Sequence, residues 1–271
     1  MQYDPIKKIA GRLFSGPLFM RKLFYFFLDL LLLRTWHVKK ALREIARKYP
    51  REAFVLDAGA GFGQYTWRMS RLNRQWKIRA VDIDEDCIRG NNTFFSKAGL
   101  SGRVACETID LARLNETDAF DFILSVDVME HIKEDELVFG NFFRALRPGG
   151  SLLVSTPSDK GGSDVHNENE HSFIDEHVRD GYGIAEISQK LERAGFDSIR
   201  ASYTYGKPGN ISWHLSMKYP IQMLNISKLF FVVLPFYYLI FFPVAVILNF
   251  FDIFLTHKSG TGLLVSASKR Q

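Results

Sequence analysis

Glycines at 59, 61 and 63 lie between the apolar run Phe54-Val-Leu and a helical pattern that starts at Gln64. A strand that ends in Asp57 and turns through alternating glycines sets bare backbone N–H groups at a helix start, where no Cβ keeps a ligand away. The chemistry this spacing implies is a grip on a nucleotide-type cofactor. Two versions of that grip fail on spacing. The dinucleotide fingerprint needs Gly or Ala after a two-residue gap, and those places hold Gln64, counted from Gly59, and Thr66, counted from Gly61. The Gly-Lys-Ser/Thr of a phosphate-binding loop is absent as well.

Three further groups of polar residues follow. Trp76–Asp84 reads as a second strand that ends in carboxylates, with Asp82 about 20 residues beyond the glycine loop, the place for an acid that accepts hydrogen bonds from ribose hydroxyls. Ile83 follows it, and Asp84, Glu85 and Asp86 suit a solvated turn. A third strand from Arg103 ends at Asp110, beside Ile109 and Leu111, and a fourth from Ala119 runs out into Asp127-Val-Met-Glu-His, with Glu130 and His131 at its end. Residues 158–182 make a long polar stretch containing His166, His171 and His177 with Glu176 and Arg179. Loops of that length are usually functional or disordered, and any one of these histidines can equally be a solvated loop residue.

The elements that must position these residues alternate as strand and helix: helices over Glu85–Ala98 and Ile184–Ala194, and a turn Arg147-Pro-Gly-Gly before strand five. That order predicts an α/β fold with a doubly wound, mostly parallel sheet. Asp57-x-Gly59-x-Gly61-x-Gly63, taken with these elements over about residues 50–204, resembles the first motif and layout of the Rossmann-like S-adenosylmethionine-dependent methyltransferases. The resemblance implies a seven-stranded sheet with S-adenosyl-L-methionine as cofactor. It implies that Asp57, Gly59, Gly61, Gly63, Asp82, Ile83, Asp110, Leu111 and Asp127 bind it, with the acid at 110 toward the adenine. The Asp-Val-Met-Glu-His-Ile stretch is similar to the ubiquinone-biosynthesis O-methyltransferases, some of which hold a divalent cation at this spacing. That makes Asp127, Glu130 and His131 a candidate Mg²⁺ set, although Glu-His after strand four is widespread in relatives that use no metal. His131, His166, His171 and His177 are the candidate catalytic residues, because an oxygen nucleophile needs a base to take its proton.

Composition bounds the partners. Cys87 and Cys106 have neither metal-ligand nor disulfide spacing, which fits a reduced, cytosolic environment. The net charge is +5, and basic residues crowd the first 51 positions, a patch suited to anionic lipid or nucleic acid. Phenylalanine decides between them. Of 24 in the chain, 13 fall in residues 1–35 and 229–255, in continuous oily tracts rather than interleaved for base stacking. The expected partner is a membrane surface, not nucleic acid.

Residues 13–36 carry Arg21, Lys22 and Asp29 within their apolar tract, too many charges for a spanning helix. They predict a helix in the membrane interface with its basic residues at the headgroups, and no secretory signal. A buried core or dimer helix is the plainer alternative. Residues 229–251 are uncharged and long enough to span. Residues 261–268 read as the sheet's closing strand, however, so the chain must return to the side it left. Pro235 and Pro243 are expected to break or kink the segment. A re-entrant helical pair between the last two strands is predicted, flanked by Lys218, Lys228, His257 and Lys258, with a true transmembrane anchor or a subunit interface as rivals.

The expected organisation is interface helices in 1–36, a methyltransferase core in 37–204, an apolar insertion in 205–258 and a closing strand in 259–271. The expected activity is methylation of a lipid or lipid-soluble acceptor at the cytoplasmic face of a membrane, with a quinone or phenol oxygen leading and a phospholipid or amine nitrogen next. A membrane-bound scaffold that binds the cofactor without catalysis is the reading from another class.

Overall fold

The structure, a computed structural model, describes residues 17–161 and 178–271. Two helices, α1 (Leu18–Leu31) and α2 (Leu33–Lys48), precede the alternation β1 (Phe54–Ala58), α3 (Gln64–Leu72), β2 (Lys77–Asp82), α4 (Glu85–Lys97), β3 (Val104–Thr108), β4 (Phe120–Val126), α5 (Asp135–Ala145), β5 (Leu146–Pro157), α6 (Ile184–Arg193) and β6 (Asp197–Thr204). The seven strands lie in the order β3-β2-β1-β4-β5-β7-β6. The first five run parallel, and β7 (Gly262–Ser268) inserts antiparallel between β5 and β6. The sheet is therefore mixed, with one reversed strand.

The central strands β1, β4 and β5 are covered on both faces, which is why they carry apolar runs, while β3 and β6 at the edges alternate with exposed residues. Alternate side chains of each strand feed two cores. Leu56, Ile123 and Leu152 meet Phe139 and Phe142 of α5 and Leu191 of α6. Val55, Phe122 and Leu124 meet Met69 of α3, Phe94 and Phe95 of α4, and Val38 and Leu42 of α2. The boundary expected at residue 36 falls inside α2, whose Leu33, Val38 and Leu42 are buried, so this helix belongs to the core.

α1 corrects the expectation more sharply. Arg21 is 2% exposed and Tyr25 is also buried, so these two face the protein instead of the headgroups, while Lys22 is exposed. Asp29 receives Arg68 and Gln64 of α3 and pairs with Lys39 of α2 at 3.1 Å.

Between β6 and β7 the chain makes a helical hairpin. One leg is α7 (Lys207–Trp213), a single wide turn over His214–Lys218, and α8 (Tyr219–Ile226); the other is α9 (Phe230–Phe254). Tyr237 and Tyr238 donate to the Leu215 and Ser216 carbonyls at 2.8 and 3.0 Å, and Ser212 donates to the Ala245 carbonyl at 3.0 Å, stitching leg to leg. α9 runs unbroken through Pro235 and Pro243, because each proline removes only one donor from a 25-residue ladder.

The hairpin is fixed at its root by Asp252, which is fully buried. Its carboxylate accepts from His37 of α2 at 2.8 Å and from the amides of Gly209 and Tyr205 at 2.9 and 3.2 Å, with His257 at 3.2 Å. His257 thus serves the root and Lys228 lies at the tip, so the basic residues expected to flank the segment together sit at opposite ends. Gly262 pairs with both Pro157 of β5 and Thr204 of β6, so the hairpin leaves from the carboxyl edge of the parallel strands.

Candidate functional site

The carboxyl edge collects the loops after β1, β2, β3 and β4. Gly59, Gly61 and Gly63 have φ of +80°, +47° and +75°, the left-handed region that glycine enters without penalty. Two of them also need the absence of a side chain. A Cβ at Gly59 would sit 2.2 Å from Val128, and one at Gly63 would meet the Asn91 side chain at 2.8 Å. A Cβ at Gly61 would point into open space with nothing within 4 Å. Close packing behind the loop and open room in front of its centre make the cradle that an adenosyl cofactor requires.

Asp82, at the end of β2, accepts the Gly61 amide at 2.7 Å through one oxygen and the Asp84 amide at 3.0 Å through the other. It braces the loop and, as a carboxylate, keeps lone pairs for further donors. Ile83 beside it is 73% exposed, an apolar side chain on open surface next to the cradle. Asp110 caps the turn Leu111–Arg113 by accepting the Ala112 amide at 2.9 Å.

Two expected cofactor residues are placed differently. Asp57 is buried beneath the loop and accepts the Thr66 hydroxyl at 2.5 Å, so it supports the cradle instead of lining it. Burial, with Asp82 nearby, pushes its carboxyl up to about 7. Leu111 is 4% exposed in the core formed with α5 and α6, so its side chain does not flank a ring in the cleft.

At the end of β4, Asp127 has φ +50°, an uncommon conformation for a residue with a side chain, and forms an ion pair with Arg34 of α2. The Arg34 amide in turn donates to the Tyr205 hydroxyl at 2.6 Å, joining the β4 end to the hairpin root. Glu130 is buried and accepts the Thr156 hydroxyl at 3.1 Å; desolvation raises its pKa. His131 lies exposed on the turn Met129–His131. Asp127 therefore faces Arg34, Glu130 faces Thr156 and His131 faces outward, so the three do not converge as a Mg²⁺ ligand set. Among the described residues no group of three His, Cys, Asp or Glu side chains is arranged to hold a metal.

His166, His171, His177 and Glu176 lie outside the described residues. Arg179, singled out with them, pairs with Asp135 and donates to the Ile132 carbonyl at 2.7 Å, while Tyr182 is fully buried with its hydroxyl on Asp135 at 2.7 Å. These two residues splice the chain onto α5 and are not free for substrate chemistry. Cys87 and Cys106 are buried, and burial pushes each thiol up to about 12, which makes them inert.

Sequence reading missed Asn91, which donates to the Gly61 carbonyl at 2.9 Å, and the contacts of Arg21 and Tyr25 with the same loop. The signal was a polar pair four residues apart inside an oily helix, which turns one face of that helix toward a polar partner.

Residues 33–201 match the methyltransferase domain family. Among similar proteins, phosphoethanolamine N-methyltransferase 1 of Arabidopsis thaliana is 30% identical over 54% of this chain and 29% of its own length. A ubiquinone biosynthesis O-methyltransferase of Xanthomonas axonopodis pv. citri is 25% identical over 41% of this chain and 46% of its own. The chain thus spans less than half the length of these relatives. A Haemonchus contortus phosphoethanolamine N-methyltransferase 2, solved in complex with S-adenosyl-L-methionine, shares the fold with a TM-score of 0.60 at 18% identity, over 92% of this chain and 60% of that one. A sarcosine dimethylglycine methyltransferase structure from Galdieria sulphuraria has the same TM-score and identity over 88% and 85%. With more than half of its residues inside the matched region, and with the sheet and glycine cradle to go with it, the chain belongs to the methyltransferase domain family.

Proposed function

We propose that this protein transfers a methyl group from S-adenosyl-L-methionine to a lipid or lipid-soluble acceptor at the cytoplasmic face of a membrane. The observation that carries the reading is the shared edge: the glycine cradle and the hairpin both lie at the carboxyl end of the sheet. α9 is uncharged from Phe230 to Phe251, a stretch of about 33 Å at 1.5 Å per residue, and mostly exposed. A hydrocarbon layer is about 30 Å thick, and in water such a surface would invite association. The hairpin returns to the edge it left, which suits entry into and exit from one leaflet side and does not suit a single crossing.

In this reading the loop 59–63 cradles the cofactor, Asp82 holds its ribose and Ile83 covers its base. Bound there, the cofactor supplies an electrophilic methyl group. The protein's share is to orient the acceptor and exclude water. A phenol oxygen is supported by the similarity to the Xanthomonas relative, and an amine nitrogen equally by the similarity to the Arabidopsis one. One observation favours a second reading, an amine-bearing phospholipid: the Arg34–Asp127 pair offers a cation and an anion together at the site, matching a phosphate and an ammonium.

Methyl-labelled cofactor given to the vesicle-bound protein, with a polyprenyl phenol or an ethanolamine-headed lipid, tests both. Label in the phenol is expected, and label in the amine lipid alone would establish the second reading. Label in neither, with normal binding of S-adenosylhomocysteine, would turn the protein into a cofactor-binding scaffold.

A further inference from the structure

α1 is amphipathic in the reverse sense for a helix packed on a soluble core. Phe19, Met20, Leu23, Phe26, Phe27 and Leu30 share one face at helical spacing. That face is the outer one, with Phe19 68% and Phe26 57% exposed. The inner face carries Arg21 and Tyr25, and both reach the glycine loop. Arg21 donates to the Phe62 and Gly90 carbonyls, each at 2.7 Å, and to the Asn91 side chain, while Tyr25 donates to the same Phe62 carbonyl at 2.5 Å. Asn91 passes the contact on to the Gly61 carbonyl. The helix that latches the cofactor loop is thus the helix that turns an oily face outward.

We infer that α1 is a lipid-dependent clamp: contact of its outer face with the bilayer holds Arg21 and Tyr25 on the glycine loop and tightens cofactor binding. The inference rests on the membrane reading above and adds a coupling to it. A 14-residue helix without a side-chain cap is marginal by itself, and in water its docked pose leaves four large apolar side chains, Phe19, Met20, Phe26 and Phe27, wet. Lipid favours the same pose, because only with Arg21 and Tyr25 inward does that face meet the hydrocarbon. The occupant is a bilayer because the oily helix and the apolar hairpin are held by one and the same helix. α2 ties both to itself, through Lys39 to Asp29 on one side and through His37 to Asp252 and Lys40 to the Ile253 carbonyl on the other. Linkage is reciprocal, so the cofactor must also strengthen the lipid contact of α1.

The test measures the affinity of the full chain for S-adenosylhomocysteine, in dilute lipid-free buffer and on phosphatidylcholine vesicles, for wild type, F19E/F26E and R21M. Vesicles are expected to tighten wild-type binding at least tenfold and to leave F19E/F26E unchanged, the two proteins binding alike without lipid. F19L/F26L should regain the lipid effect, and R21M should bind weakly in both conditions. Equal affinities for wild type and F19E/F26E on vesicles, with both cosedimenting, would overturn the clamp and leave the membrane reading standing. Failure of wild type to cosediment would overturn both. A wild-type dimer that F19E/F26E dissociates would assign the oily face to a second copy and overturn the clamp as well.

Discussion

α1 and α9 are both apolar tracts that a hydropathy profile treats alike, yet they join the molecule in opposite ways. α1 buries Arg21 and Tyr25 against the cofactor loop and shows its oily face to the surroundings. α9 is oily all round over two-thirds of its length and is tied to α2 near its end, through Asp252 and the Ile253 carbonyl. The difference teaches that attachment to the catalytic machinery is carried by where the few polar side chains point, not by how hydrophobic a segment is. One helix is a working part of the site; the other is a long extension hung from one buried carboxylate.

The contrast can be broken first at the cradle, which both helices are held to serve. Gly59→Val puts a branched side chain at φ +80° into Val128. Calorimetric titration with S-adenosylhomocysteine is expected to show a loss of roughly a thousandfold, about 4 kcal/mol. The root of α9 comes next. Asp252→Ala leaves His37 and the amides of Tyr205 and Gly209 without their acceptor, and should cost about 3 kcal/mol, read as a lower Tm. Cofactor affinity should fall much less than in Gly59→Val, since Asp252 does not touch the loop.

Beneath the loop, Asp57 titrates near 7 in the folded protein against 3.8 for the free side chain. Its folded pKa is raised, so its contribution is fully present below about pH 4 and is lost as pH rises toward 7. Asp57→Asn should flatten that part of the stability profile by roughly 2 kcal/mol, about half of what the full shift would give. A variant whose Tm falls over pH 4–7 as steeply as wild type would contradict it. The smallest effect is expected on α9 itself: Phe236→Asp with Leu239→Asp, both exposed, should weaken vesicle partitioning about tenfold while the stability moves within about 1 kcal/mol.

What the sequence made legible follows from where the physical constraint is local. The glycine spacing, the acid ending β2 and the buried central strands impose residue types at fixed intervals, and the bounds of β7 agree with the reading to within a residue, whereas β5 takes in the Arg147-Pro-Gly-Gly segment read as a turn. The direction α1 faces was not legible. Its basic residues were expected at the headgroups, but the deciding partners, the Phe62 and Gly90 carbonyls, have no side-chain identity to read. Arg34 and Asp127, or His37 and Asp252, are likewise far apart in the chain, and only the fold brings each pair together. Glu130 looked like a ligand because the stretch around it resembles a family that holds a cation there; its contact with Thr156 of β5 is a tertiary fact.

The most direct test of the whole account is transfer of radiolabelled methyl from S-adenosyl-L-methionine into a total lipid extract by the vesicle-bound protein, beside the Asp82→Ala variant. The account predicts label in the organic phase with wild type and at least a hundredfold less with the variant. Label confined to water-soluble products, or equal labelling by both proteins, would contradict it.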